Sequence, residues 1–307
     1  MCRDSTSVEG RERNVLFFTM ARNHDELNSA RLFAESLREF GGQLNSSPIW
    51  LFEYEASSDD DQHLAELGVD PVSVTVPDSM RGYELAAKVH SCAEAERLVP
   101  QHIESLVWIS PDSVVVSTPD LYVLDEKHDV AVRPVHVKNV GLTAGEPLDA
   151  YWSRILETTG AESSEFYVES YVDHQRLRGY FNSHSYCVRP SLGLFRRWSE
   201  CFERLVHDGE FQSSSCSDDL SRIFLHQAVL SALTLSMVDH DRIRILPPAY
   251  CYPYNLHSSV AAGDRIDALN QLTSFVYEDL SIDPDRVEDI EINEPLRSWL
   301  KNKVGGL

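Results

Sequence analysis

Short apolar runs alternate with amphipathic segments through the first third of this 307-residue chain, and this alternation restricts the fold more than any other feature. The apolar runs are long enough for buried strands and cover residues 15–19, 49–52, 72–76 and 105–109. Between them, residues 27–37 and 80–99 carry apolar side chains at helical spacing. A repeated strand–helix order is typical of a parallel sheet with helices on both faces, so we predict an α/β fold.

The second half of the chain has a less regular pattern. We predict strands near residues 129–135, 166–172, 183–188, 243–246 and 275–277. We predict helices near residues 147–159, 192–205 and 220–237, another that starts at residue 261, and a last one near 295–301. No repeat and no low-complexity linker separates the two halves. The sequence therefore predicts a polar tail over residues 1–13, followed by one α/β domain over residues 14–307 with an elaborated C-terminal half.

Acidic residues outnumber basic ones, with 49 Asp and Glu against 27 Lys and Arg and a formal net charge of -22. A net negative charge of this size repels the phosphate backbone of nucleic acids, so we predict no nucleic-acid partner. It does not exclude a local basic pocket for a nucleotide diphosphate. No apolar run reaches the roughly 18 residues of a membrane span. The polar start lacks the apolar core of a secretory signal. Because the six cysteines form no CxxC pair, we predict free thiols and a cytoplasmic location.

The common GxGxxG, GxxxxGK[ST], GxSxG and HExxH signatures are absent from the sequence. The chain contains instead an ordered series of weaker motifs. In chain order these are Lys88-Val89-His90, Ile109-Ser110-Pro111-Asp112, Pro119-Asp120-Leu121, Phe181-Asn182-Ser183-His184, His226-Gln227, Leu246-Pro247 and Tyr254-Asn255.

This ordered series, over about residues 14–257, resembles the glycogenin-like and related nucleotide-sugar glycosyltransferases of the GT-A fold. Those enzymes have a Lys-containing helix before an apolar strand that ends in Asp-x-Asp, and later Phe-Asn-Ser/Ala-Gly and Asp-Gln segments. The resemblance implies a mostly parallel central sheet, with a nucleotide-binding half over about 14–125 and an acceptor-side half over about 126–307. It also implies a nucleotide-diphospho-sugar donor, most simply a UDP-sugar, and transfer of a hexose, with retention, to an acceptor that the sequence does not identify.

The resemblance implies donor-binding roles for residues that match the family motifs. Lys88 falls on the lysine that contacts the donor, Asp112 on the second Asp of Asp-x-Asp, and Gln227 on the residue after the helix-opening Asp. The residues that we expect to bind the substrate are Thr19, Asn23, Lys88, Ser110, Asp112, Asn182, Ser183 and Gln227. Asp112 would also hold Mn²⁺ or Mg²⁺, since these cations prefer oxygen ligands and neutralise a departing diphosphate.

The chain departs from the family pattern at the positions closest to the chemistry. Ser110 replaces the first metal-binding Asp, His184 replaces a glycine, and His226 replaces the helix-opening Asp. The later metal-binding His has no clear match, and Glu278 is the nearest candidate for a second carboxylate. These departures predict a weak metal site. They also support a second hypothesis, a GT-A-fold binding or scaffold protein without turnover. A third hypothesis is a different nucleotidyl or sugar-phosphate enzyme on a similar sheet.

Each candidate residue also has a structural interpretation. Asp112 is equally suited to stabilising a turn after Pro111, and Lys88 to a solvated helix surface. Asn182 and Ser183 suit a turn between strands, and Gln227 suits a structural hydrogen bond. We interpret the imidazoles of four histidines as structural; these are His90, His136, His184 and His226.

Overall fold

The computed structural model describes residues 14–54, 62–83, 85–163, 165–287 and 289–304. The predicted polar tail over residues 1–13 lies outside the described residues. The chain folds into two compact units. Unit 1 consists of Met1–Val72, Val107–Val123 and Leu246–Leu307, and unit 2 consists of Ser73–Leu106 and Leu124–Ile245. The single domain with two halves that meet near residue 125 stays a prediction.

The described strands and helices follow in chain order. The strands are β1 (Val15–Ala21), β2 (Ile49–Glu53), β3 (Val69–Ser73), β4 (Ser105–Ile109), β5 (Ser113–Val115), β6 (Val130–Pro134), β7 (Tyr167–Glu169), β8 (Arg176–Arg178), β9 (Phe181–Val188), β10 (Ile243–Ile245), β11 (Tyr252–Pro253) and β12 (Ser274–Val276). The helices are α1 (His24–Phe40), α2 (Gln62–Glu66), α3 (Ala86–Leu98), α4 (Ala150–Thr159), α5 (Leu194–Val206), α6 (Gly209–Ser213), α7 (Asp219–Met237) and α8 (Leu296–Val304).

Unit 1 contains the sheet order β4-β1-β2-β3 and a second, small sheet with the order β11-β12-β5. Strand β1 is buried along its whole length, as the continuous apolar run predicts, and it pairs in parallel with β2. Helix α1 packs against β1 and β5. In the small sheet, β12 lies parallel to β11 and antiparallel to β5.

Unit 2 contains the sheet order β10-β6-β9-β4, and β4 begins in this unit and ends in unit 1. Strand β6 is parallel to β10 and antiparallel to β9. Helix α7 packs against β9, α4 and α5, and α5 packs against α3. The mixed α/β fold with a mostly parallel central sheet confirms the predicted fold class.

The third strand lies three residues before its predicted position, at Val69–Ser73 and not at 72–76. Gly68, with a φ of 65°, makes the turn after α2 and leads directly into this strand. Pro71 has no N–H to donate, which is tolerated because β3 is the edge strand of its sheet. An apolar pattern cannot reveal this start, because Asp70 and Pro71 interrupt the pattern.

The helix that the sequence predicts from residue 261 is wrong. Residues 261–273 contain turns and a short 3₁₀ helix, Leu269–Gln271. The Leu269 N–H donates to the Glu291 carbonyl at 2.9 Å, and the Glu291 N–H donates to the Asp267 carbonyl at 2.9 Å. Because these backbone groups pair with a distant segment, they are not available for a helical ladder.

Helix α7 is, among the described helices, the one whose length and apolar composition would suffice to cross a membrane. In its most apolar stretch, 56% of the residues are buried inside the protein, a property that core helices share. Length and composition therefore do not decide its environment, and the absence of a membrane span stays a prediction. Five cysteines in the described part of the chain are buried free thiols: Cys92, Cys187, Cys201, Cys216 and Cys251.

Candidate functional site

The candidate residues are divided between the two units. Thr19, Asn23, Ser110 and Asp112 belong to unit 1, and Lys88, Asn182, Ser183 and Gln227 belong to unit 2. Each group is described within its own unit.

In unit 1, Asp112 occupies the tight turn that joins β4 to β5. The Ser110 hydroxyl donates a hydrogen bond to Oδ1 of Asp112, and both side chains are half-buried. This is the carboxyl end of β4, a central strand of its sheet, and α/β proteins place their ligands at the carboxyl ends of such strands. The turn interpretation and the ligand interpretation of Asp112 are thus compatible, because the turn itself presents the carboxylate at the strand end.

The pairing of β5 with β12 brings a second carboxylate to Asp112. Val276 lies opposite Ser113 in this antiparallel register, and beyond it the Tyr277 N–H donates to the Asp112 carbonyl at 3.0 Å. Glu278 follows directly. Desolvation, together with the negative charge of Asp112, raises the pKa of Glu278 above its usual value, while a hydrogen bond with Asn255 acts in the opposite direction. Desolvation and the same charge raise the pKa of Tyr277 to about 12.

The backbone of Glu278 adopts the left-handed conformation, with a φ of 46°. This conformation costs a residue that carries a Cβ atom about 1–2 kcal/mol. Strained residues of this kind cluster at functional sites, where the surrounding structure holds them in place. The strained backbone and the nearby Asp112 carboxylate make Glu278 a candidate ligand-binding residue, and this role stays a prediction.

The substitution Glu278→Gly tests whether the left-handed backbone of residue 278 is strained. Glycine adopts a positive φ without strain but loses about 0.5–1 kcal/mol through backbone entropy. We therefore expect a free energy of unfolding within about 1 kcal/mol of the parent, measured by urea denaturation. Glu278→Gln, which keeps the strain and removes the charge, is the matched control. A loss of more than about 2 kcal/mol in the glycine variant would contradict the interpretation of strain.

A divalent cation at Asp112 stays a prediction, although the donor atoms of this cluster are of the type that such a cation binds. Asp112 and Glu278 supply two carboxylates with like charges, which repel each other without a counter-ion. Hard oxygen donors of this type suit Mg²⁺ and Mn²⁺. The described residues contain no group of three or more His, Cys, Asp or Glu side chains that could hold a metal. Two carboxylates alone make a weak site, so further oxygens would have to come from the substrate and water.

Thr19 and Asn23 lie at the end of β1 and the start of α1. The Thr19 hydroxyl is buried and makes no hydrogen bond within the described residues. Asn23 is exposed and caps α1, since its Oδ1 accepts a hydrogen bond from the Glu26 N–H at 2.9 Å. Their predicted contacts with the base and ribose stay predictions.

In unit 2, Lys88 is buried in α3 and is not the solvated helix lysine of the structural interpretation. Its Nζ donates to the carbonyl oxygen of Ser183 and, at 2.9 Å, to the Ser183 hydroxyl. Burying an ammonium group costs free energy unless hydrogen-bond acceptors replace water around it, and the two Ser183 oxygens are such acceptors. Lys88 therefore links α3 to the residue that the sequence predicted to face the sugar.

The Ser183 hydroxyl is the centre of a buried polar network. It lies 2.9 Å from Nε2 of His226 and 3.1 Å from Oε1 of Gln227. Nδ1 of His226 lies 2.7 Å from the Ile223 carbonyl, so Nδ1 carries the proton and Nε2 is an acceptor. Burial, followed by the positive charge of Lys88, lowers the pKa of His226 well below its usual value. The imidazole is therefore neutral, as the structural interpretation of His226 requires.

Asn182 and Ser183 lie inside strand β9, so their interpretation as turn residues is wrong. Oδ1 of Asn182 accepts a hydrogen bond from the His184 N–H at 2.7 Å. Sequence reasoning missed Arg133, which is buried at the end of β6 and lies next to this region. A charged residue inside the apolar run of residues 130–135 was the signal that could have found it.

No protein-family model and no curated protein matches this chain. Solved structures of glycosyltransferases do match it. The galactosyltransferase LgtC in complex with donor and acceptor sugar analogs superposes with a TM-score of 0.52 and 11% identity, over 95% of this chain and 96% of that one. An active-site mutant of LgtC, with glutamate in place of glutamine, superposes with a TM-score of 0.53, 10% identity and the same coverage.

The glycosyltransferase GlyE of Streptococcus pneumoniae superposes with a TM-score of 0.52 and 12% identity. The match covers 95% of this chain and 60% of the GlyE chain, so this chain spans less than two thirds of that protein. Identities this low establish the fold alone. The chain has the fold of the GT-A-type glycosyltransferases, which confirms the predicted resemblance.

Proposed function

We propose that this chain binds a nucleotide-diphospho-sugar, most simply a UDP-sugar, and transfers its hexose to an acceptor. The observation that carries the proposal is the position of Asp112 at the carboxyl end of β4, where Glu278 supplies a second carboxylate. A fold likeness to an enzyme bound to donor and acceptor sugar analogs supports it over 95% of the chain. Buried free thiols and the net charge of -22 support a cytoplasmic protein without a nucleic-acid partner.

The proposed chemistry is the departure of a nucleoside diphosphate from the anomeric carbon of the sugar. Asp112 and Glu278 would hold Mn²⁺ or Mg²⁺, which when bound neutralises charge on the phosphates. As the family resemblance implies, Lys88, Asn182, Ser183 and Gln227 would bind the sugar side of the donor. Because the Lys88 ammonium already donates to Ser183, its position is set before a ligand arrives, which lowers the entropic cost of binding.

Isothermal titration calorimetry with UDP, GDP and their glucose conjugates, with and without Mn²⁺, tests the proposal. We expect UDP to bind and Mn²⁺ to strengthen its binding, with EDTA reversing the gain. Mass spectrometry of a mixture with UDP-glucose and candidate acceptors should then detect a glycosylated product together with UDP. If no nucleotide or nucleotide-sugar binds, the proposal fails. Binding without turnover across a broad acceptor panel would instead favour the hypothesis of a GT-A-fold scaffold protein.

A further inference from the structure

Arg133 and His184 lie near the imidazole of His136 in unit 2, although the whole chain is strongly acidic. We name Arg133, His136 and His184 the His136 cluster. The side chain of Arg133 is 3% exposed and that of His136 is 8% exposed, while His184 is half-buried. His184 is thus the member of the cluster that is most exposed to solvent.

The backbone fixes the position of His136. The Tyr171 N–H donates to the Val135 carbonyl at 3.1 Å, and the Val172 N–H donates to the His136 carbonyl at 2.7 Å. The guanidinium of Arg133 lies 5.0 Å from the centre of the Tyr171 ring, a cation–π contact that orients this side chain. The rings of His136 and His184 are 6.4 Å apart, centre to centre. The cluster is thus built before any ligand binds.

Neither ring nitrogen of His136 makes a hydrogen bond within the described residues, although the side chain is more than nine-tenths buried. Buried polar groups in folded proteins almost always have a partner, so an imidazole at this depth can bind a group that the described residues do not supply, such as a ligand or an ordered water. Burial, followed by the positive charge of Arg133 and a smaller electrostatic effect of His184, lowers the pKa of His136 well below its usual value. The same field attracts an anion and opposes a metal cation.

We propose that the His136 cluster binds the oxyanion of an acidic sugar, either the carboxylate of a uronic acid or the phosphate of a sugar phosphate. The inference rests on the proposed function, because His184 directly follows the two residues expected to face the donor sugar. A guanidinium and two imidazoles supply N–H donors, and hydrogen bonds of this kind to an oxyanion are stronger than those to a neutral hydroxyl. The cluster would therefore select an acidic sugar over a neutral hexose.

Calorimetry with glucuronate, glucose 1-phosphate and glucose tests the proposal on the full chain. We expect at least one of the two anions to bind about tenfold more tightly than glucose, and the preferred anion distinguishes carboxylate from phosphate. His136→Gln should remove most of this preference. His207→Gln, at an exposed histidine of the same unit, should leave it unchanged. Equal affinities for all three ligands, or an anion preference that survives His136→Gln, would overturn the proposal.

Two further measurements keep the outcome interpretable. Arg133→Gln provides a second variant with the same expected loss, and circular dichroism with thermal unfolding shows whether each variant is folded. Competition between UDP-glucuronate and UDP-glucose separates this inference from the proposed function. If UDP itself does not bind, the proposed function fails. If UDP binds but neither UDP-glucuronate nor the free anions are preferred, only the His136 cluster proposal fails.

Discussion

Asp112→Asn is expected to abolish the gain in UDP affinity that Mn²⁺ produces, a gain that we expect to be about 100-fold in the parent chain. The substitution removes one of two carboxylates and keeps the shape of the side chain. The Ser110 hydroxyl can still donate to the amide oxygen, and repulsion of Glu278 disappears, so the free energy of unfolding should not fall. Titration of UDP at several Mn²⁺ concentrations measures the effect.

Asp120→Asn is the matched control for this prediction. Asp120 follows in the same part of unit 1, is exposed, and accepts a hydrogen bond from Gln43 at 2.8 Å. Its loss should leave both UDP affinity and the Mn²⁺ gain unchanged. A full Mn²⁺ response in Asp112→Asn would show that this carboxylate does not bind the cation and would remove the observation on which the proposed function depends.

Glu96→Ala is expected to lower the free energy of unfolding by about 3 kcal/mol. Helix α5 begins after Gly193, which has no side chain with which to cap it. The buried carboxylate of Glu96, from α3, accepts hydrogen bonds from the Phe195 N–H at 3.2 Å and from the Arg196 N–H at 2.9 Å. Without it, a buried N–H loses its acceptor and the positive end of α5 loses its countercharge.

Glu94→Ala, two residues earlier on α3, tests whether the effect is specific to the buried position. Glu94 pairs with Arg97 at 2.6 Å on the exposed surface of the helix, where solvent screens the pair and its contribution to stability is small. Urea denaturation of both variants gives the comparison. Equal losses of stability would show that Glu96 does not cap α5, and the intermediate variant Glu96→Gln should recover part of the loss because its amide oxygen still accepts one hydrogen bond.

The fold class could be predicted from the order of short apolar runs and helical patterns. Strand β4 was predicted with its observed bounds, and β1, β2 and β6 to within two residues at each end, because burial on both faces leaves a continuous apolar run. Prediction was wrong where distant backbone groups compete with local preference, as in residues 261–273, which pair with Glu291. The predicted position of β3 was three residues too late, because Pro71 interrupts the apolar pattern of this edge strand.

The candidate site could be predicted only in part. A motif identifies Asp112, because the strand before it and the turn that contains it are local features. No local pattern reveals that Lys88 is buried against Ser183, since the two residues are 95 positions apart. The capping role of Glu96 could not be predicted either, because its partners on α5 lie about 100 positions away. A glutamate on a helix is usually solvated.

The sequence by itself determined the alternation of strands and helices, the acidic surface and the position of one carboxylate at a strand end, because these depend on composition and on neighbours along the chain. Only the tertiary structure decided which distant groups meet. The register of β5 against β12 brings Glu278 to Asp112, and the backbone contacts of residues 135 and 136 hold His136 near Arg133 and His184. Charge effects and hydrogen bonds act over a few ångströms, and chain folding alone sets such distances between residues remote in sequence.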